Sequence, residues 1–468
     1  MAPTFILPAA DENLIETAVP AMTPFPTRPA YEPGQLVEYI AQPGDNLPAL
    51  ATRFNTTVAE IRAVNPNIPS DATTMPTGMP MSIPIYYRAL WGTPYQIIPD
   101  TVYVNGPDAS SFNTAQFVNQ QGGWLYKYAA WAFSGTRSAA EIVDYVAASY
   151  SVSPKVLLAV LEYQTGAFSM DVPPEDVDEN VLGLESPYWL TLYLQLLHAA
   201  DTLNDGYYRW REGDLIEFEL DDGTITRPDP WQNAATVALQ YYFAQVLDVN
   251  AYQAAIGPDG FAATYQRLFG DPWGVEAHIP GSLTQPELSL PYVNDVSWAF
   301  TGGPHSGWGS LMPWSALDFA PPSDRTGCFI SNVPATAVGA GVVVRDGDGY
   351  LVLDLDGDGD EHTGWNITYL HISNEGRVPV GTEVEMGDFL GYPSCEGGHS
   401  TGTHIHIARK YNGEWMRASG VIPFVLSGWR PLEGDQAYSG YLVKGDVYIL
   451  ANTNPDNRSA IPVDSTEQ

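Results

Sequence analysis

Hydrophobic and polar positions change their period along the chain. Between 36 and 86, an alternating run (Val37, Tyr39, Ala41) passes through a Pro43-Gly44-Asp45 turn into two short amphipathic helical stretches and a closing Met81-Ser82-Ile83-Pro84 strand. From 116 to about 280, long apolar stretches carry the helical period. The clearest helix starts at Ser153-Pro154, an N-cap followed by proline at the first helical position, and runs from Val156 through Gln164 to a stop at Gly166. Further helices are predicted over about 187–203 and 233–247. From 281 onward the pattern is that of strands: 341–355, 365–371, the Leu317-Asp318-Phe319-Ala320 alternation, and stretches near Trp415, Trp429 and Tyr438-Ser439-Gly440-Tyr441.

These shifts divide the 468 residues into a Pro-, Thr- and Ala-rich leader or linker (1–35), a small βααβ module (36–86), a Tyr- and Pro-rich connector (87–115), an all-α unit (116–280) and an antiparallel β unit (281–468). The fold class is multidomain α+β. A hydrophobic share of 44% supports filled cores, and 43 Gly with 39 Pro supply turns between them. The net charge of −35 would repel phosphates and anionic membranes, which argues against nucleic acid as a partner. No apolar run is long enough to span a bilayer, and the start of the chain lacks the basic and apolar regions of an export signal. The two cysteines, Cys328 and Cys395, can form a disulfide or stay as separate thiols.

The strings Glu38-Tyr39-Ile40-Ala41-Gln42-Pro43-Gly44-Asp45-Asn46-Leu47, Ala51-Thr52-Arg53-Phe54, Ala63-Val64-Asn65-Pro66 and Ile83-Pro84 together resemble a LysM domain. The resemblance implies binding to N-acetylglucosamine-containing glycans such as peptidoglycan, in a groove beside Gly44 and Asp45 and the loop from Asn65 to Ile68. Asp45 suits equally well a role as cap of the helix that follows. In the α unit, the string ending Gln164-Thr165-Gly166 resembles the lysozyme-like helix that closes in a catalytic Glu-Ser-Gly. Gln164 stands at the acid's position and an amide cannot protonate a glycosidic oxygen, while Glu162 points to nearly the opposite face of a helix. This unit therefore reads as a spacer or a glycan-binding relic.

Six of the eight histidines fall between His305 and His406. Histidine is the commonest transition-metal ligand, and catalytic zinc takes three protein ligands while leaving one position open. In Gly398-His399-Ser400-Thr401-Gly402-Thr403-His404-Ile405-His406-Ile407, strand periodicity sends His404 and His406 to one face and Ile405 and Ile407 to the other. This string resembles the signature of lysostaphin-type (LytM-like) zinc endopeptidases, whose fold is of the duplicated-hybrid-motif type. Thr368-Tyr369-Leu370-His371-Ile372 and the 380–388 hairpin are similar to two further parts of that family. The resemblance implies that His406, His305 and Asp318 bind Zn2+ and that His371 and His404 are catalytic. Twelve residues separate His305 from Asp318 where the family usually has only a few, so 306–317 is read as an insertion looping out beside the cleft. His399 and His362 have no matched role and read as rim or structural residues.

Asp354, Asp356, Asp358 and Asp360, spaced by glycines, resemble a Ca2+ loop and suit a hairpin turn equally well. The function that the LysM and lysostaphin-type resemblances imply is a peptidoglycan-directed zinc endopeptidase, extracellular or wall-associated in a bacterium. The competing reading is an inactive wall-binding protein or an activator of a wall amidase.

Overall fold

The computed structural model describes residues 30–463 apart from 134, 185–190 and 294; most of the expected leader and the first part of the helix expected at 187 lie outside the described residues. Strands β1 (Gln35–Ile40) and β2 (Pro80–Ile85) pair antiparallel, with Tyr39 opposite Met81 and Val37 opposite Ile83. The alternation buries these four side chains on helices α1 (Leu47–Arg53) and α2 (Val58–Val64). Asn46 caps α1 by accepting from the Ala49 N–H at 2.9 Å, and Thr57 with Glu60 forms a reciprocal capping box on α2.

Gly44, Asp45, Asn65 and Ile68, the residues expected beside the glycan groove, are all buried. Asp45 is buried, accepts from the Tyr39 hydroxyl at 2.6 Å and pairs with Arg53 at 2.8 Å. Asn65 ties its own helix to Ser82, Ile68 is buried in the small core, and the Arg211 guanidinium lies against Gly44. The polar groups that read as a binding edge are used inside the molecule.

The helical part includes α3 (Ala139–Tyr150), α4 (Pro154–Thr165), α5 (Leu192–Glu212), α6 (Ala234–Val246) and α7 (Phe261–Phe269). Helix α4 has the predicted ends: Ser153 accepts from the Lys155 N–H and Gly166 takes the left-handed φ of 61°. Helix α5 runs past the expected end at 203 to Gly213, with Leu196, Ala200, Leu203, Tyr207 and Trp210 all buried. It passes through Gly206, where a Cβ would stand 2.8 Å from Tyr241 and 3.0 Å from the Ala238 backbone; the missing side chain lets α5 and α6 approach.

Eight later strands form one antiparallel sheet: β3 (Ala299–His305), β4 (Ala316–Ala320), β5 (Gly341–Gly347), β6 (Tyr350–Asp354), β7 (Trp365–Leu370), β8 (Glu383–Val384), β9 (Ile405–Tyr411) and β10 (Glu414–Trp415). Their order is β8-β5-β6-β7-β9-β4-β3, with β10 paired to β9. The single strand expected over 341–355 is in fact the β5–β6 hairpin, turned at Asp348-Gly349, where Gly349 has φ 70°. A separate sheet of Arg430–Glu433, Gly440–Lys444 and Val447–Leu450 follows.

Arg211, near the end of α5, joins all three parts. Its side chain is 4% exposed; its Nε lies 2.8 Å from Glu414 Oε1 on β10, and its Nη2 lies 3.3 Å from Asp100 and donates to the Tyr207 hydroxyl at 2.7 Å. Nη1 donates to the Pro43 carbonyl of the small module. His278 closes on the other Glu414 oxygen at 2.6 Å. Burial raises the pKa of Glu414, but the Arg211 charge and the His278 contact outweigh it and bring the group down to about 2. This is below the ordinary 4.5, so the stabilisation from Glu414 is full above pH 4.5 and fades as pH falls through about 2. Glu414→Gln, which strips Arg211 of its nearest countercharge, is expected to lower the unfolding free energy by about 3–5 kcal/mol in urea titrations at pH 7. A loss under 1 kcal/mol would mean that the cluster carries little of the stability.

Candidate metal centre

Sheet register builds the centre. On β4, Asp318 pairs with His406 of β9 on one side and with Gly302 of β3 on the other. Directly opposed residues of neighbouring strands project to the same face, so Asp318 and His406 meet. His305 ends β3 and reaches the same point, while Ile405 and Ile407 enter the core behind. A Cβ on Gly302 would stand 2.3 Å from Asp318 Oδ2, so that position leaves room for the carboxylate only as glycine.

His305 Nε2, His406 Nδ1 and Asp318 Oδ1 form a triangle with sides of 3.0, 3.2 and 3.3 Å. Tetrahedral coordination with bonds of about 2.0–2.1 Å would set donor atoms about 3.3 Å apart. The other nitrogen of each ring donates to a main-chain carbonyl: His305 Nδ1 to Gly303 O at 2.8 Å and His406 Nε2 to Gly307 O at 3.1 Å. In the neutral rings this leaves two lone pairs facing a carboxylate oxygen that is buried and has no hydrogen-bond donor. Three acceptors facing one another without a proton call for a cation, and these residues fit one. Burial works against the Asp318 charge, yet His305 and His404 hold the group well below the usual carboxylate range.

The other two expected histidines stand beside this triangle. His404 Nε2 lies 3.7 Å from Asp318 Oδ1, and its Nδ1 donates to Gly402 O at 2.8 Å. The His371 ring is 4.5 Å from that of His404, centre to centre, and its Nδ1 donates to Glu396 O at 3.0 Å. His371 has a left-handed φ of 62°, held where the Ser394 N–H bonds to its carbonyl at 2.7 Å. Burial, reinforced by His404 and His406, pushes His371 down to about 3, so its ring is neutral at neutral pH. The Cys328–Cys395 disulfide, with Cα atoms 5.6 Å apart, ties the segment carrying Glu396 to the stretch whose Gly327 and Phe329 line the cleft described below.

All five residues line a cleft of about 1000 Å³, with His399 at its rim. Sequence reading missed Tyr438, whose ring stacks on His305 with centroids 4.0 Å apart. The sequence marks Tyr438 only as part of a strand-like stretch, and no local pattern distinguishes an aromatic residue that folds back onto a histidine. His362 sits elsewhere, against Asp360. Asp360 does not join Asp354, Asp356 and Asp358, whose carboxylates approach within 4.8 Å of one another. Asp354 accepts from the Asp356 and Gly359 N–H groups, so the string closes as a turn, and calcium draws no support from it. The insertion does not loop out beside the cleft: 306–315 folds against α5, where Ser310 and Leu311 bond to Asp201. In the helical part, Glu162 accepts from the Phe168 N–H and pairs with Arg267, while Gln164 bonds to Leu182 O and the Tyr242 hydroxyl. Both side chains are structural.

Residues 39–84 match the LysM domain family, and residues 96–282 match the family described as LasA, N-terminal domain. The chain is 26% identical to Protease LasA of Pseudomonas aeruginosa over 345 residues, 69% of this chain and 75% of that protein. It is 31% identical to the Beta-lytic metalloendopeptidase of Lysobacter enzymogenes over 154 residues, 31% of this chain and 78% of that protein. The chain belongs to the beta-lytic metalloendopeptidase family. Among solved structures it resembles the M23 metalloprotease pseudoalterin at 25% identity, covering 36% of this chain and 96% of that one with a TM-score of 0.30. His305, Asp318 and His406 are a group that could hold the metal ion of such a peptidase. The central helical segment, which had read as lysozyme-like, matches the LasA N-terminal family instead.

Two outcomes follow from this geometry. Gly302→Ala is expected to weaken divalent-metal binding on the order of tenfold or more by displacing Asp318, read by chelator competition. Thiol titration of the denatured, unreduced chain is expected to find no reactive thiol, and two after reduction.

Proposed function

We propose that the protein is a zinc endopeptidase that hydrolyses amide bonds in the stem or cross-link peptides of peptidoglycan, held to its polymer by the LysM unit. The observation that carries this reading is the acceptor-only triangle of His305 Nε2, Asp318 Oδ1 and His406 Nδ1, each member oriented by a main-chain contact or strand register. Zinc bound there would polarise the scissile carbonyl and lower the pKa of a coordinated water toward 7.

The chain's own residues supply the rest. His371 and His404 each spend Nδ1–H on a carbonyl, which leaves Nε2 to take a proton from the attacking water and pass it to the departing amine. At neutral pH the His371 ring is neutral and keeps an unprotonated nitrogen. Tyr438, stacked on His305, walls the cleft on one side. The units at 36–86, 116–280 and 281–468 act as wall anchor, spacer and peptidase. The LysM match supports a wall-associated, extracellular setting, as does a disulfide, which persists in oxidising surroundings. Among the described residues no helix is long and apolar enough to cross a membrane.

Wild type is expected to hold about one zinc per chain and to release new amines from peptidoglycan in a chelator-sensitive way. His406→Ala and Asp318→Ala should lose both. His371→Ala should keep its zinc and lose at least about a hundredfold in amine release. A wild type with neither zinc nor amine release would favour the wall-binding or amidase-activating protein instead.

A further inference from the structure

Helix α5 holds Asp201 against the segment that separates His305 from Asp318. The Asp201 carboxylate, 5% exposed as a residue, accepts from the Ser310 N–H at 3.1 Å, the Ser310 hydroxyl at 2.8 Å and the Leu311 N–H at 3.3 Å. One turn further on, Asp205 receives the Met312 N–H at 3.4 Å. Gly309, at φ 81°, passes so close that a Cβ there would stand 2.5 Å from Asp201 Oδ1. The segment is also closed on itself, since the Gly307 N–H donates to Pro313 O and the Ser306 hydroxyl donates to Leu311 O. Gly307 is thereby fixed against Ser315 and Trp415, and its carbonyl is the acceptor for His406 Nε2.

We infer that Asp201 is a positioning residue for the metal centre: it fixes the loop whose Gly307 carbonyl selects the His406 tautomer that presents Nδ1 to the metal. This assignment rests on the zinc reading of the site. The helical unit then contributes to the chemistry at a distance, through an orienting carbonyl that the β unit carries but does not anchor alone. Removing the carboxylate leaves three donors without their acceptor and frees the loop, so the ring of His406 loses the partner that sets its tautomer.

The test measures zinc affinity by chelator competition in the full chain, for wild type, Asp201→Ala, Asp201→Asn, Tyr208→Phe and His406→Ala. Tyr208 makes a different contact between the same units, accepting the Trp415 N–H at 2.9 Å. Asp201→Ala is expected to weaken zinc binding on the order of 10- to 100-fold. Asp201→Asn, which keeps an acceptor oxygen, should fall between it and wild type, and Tyr208→Phe should stay within about twofold of wild type. At saturating zinc, Asp201→Ala should regain kcat with KM unchanged. Zinc affinity of Asp201→Ala within twofold of wild type, while His406→Ala has lost the metal, would overturn the assignment. Equal losses in Tyr208→Phe and Asp201→Ala would also overturn it, because the effect would then be general loosening between the units. Absence of zinc from wild type would overturn the zinc reading itself, and this assignment with it.

Discussion

A buried guanidinium cannot be left uncompensated, and Arg211 meets this demand by drawing a carboxylate from each of two distant stretches, Asp100 and Glu414, and a carbonyl from a third, Pro43. The three cores must therefore assemble around one charge. Hydrophobic burial reinforces the junction: Ala316, Ala408 and Trp415 of the sheet belong to the same apolar cluster as the inner faces of α3 to α6. The ion cluster sets the alignment of these surfaces, since a shift of either partner would strand a charge out of water.

The same helix reaches the sheet at its other end. Residues 201 and 205 lie one turn apart on α5 and hold the 306–315 loop, while Arg211 holds the β9–β10 hairpin at Glu414. Strand β9 bears His406 on the cleft face and Ile405 and Ile407 on the core face, so its placement decides both packing and chemistry. Neutral imidazoles carry one proton each, and here every one of those protons is committed to the main chain. The direction of each ligand lone pair is thus a property of the backbone, set before any ion arrives.

Much of the centre was legible because strand alternation and clustered histidines are local signals. The pairing of Asp318 with His406 follows from the Leu317-Asp318-Phe319-Ala320 alternation even across a twelve-residue gap. The destination of that gap was not legible, because its partner Asp201 lies more than a hundred positions upstream on a face that looks like any other helical carboxylate. The internal pairing of Asp45 was not legible for a related reason: sequence cannot separate a polar group kept for solvent from one kept for Tyr39 and Arg53. Likewise Asn204-Asp205-Gly206 looks like the end of a helix, whereas contact with α6 makes the glycine a packing requirement.

The sharing of one apolar cluster between helices and sheet also separates covalent continuity from physical continuity. Residues 273–277 are exposed, and they join two parts whose inner surfaces are already committed to each other through Trp415, Tyr208 and Tyr150. A nick in that stretch would create new chain ends without creating two independent bodies. The pieces would stay together as a noncovalent pair, and their parting would require the ions around Arg211 to return to water.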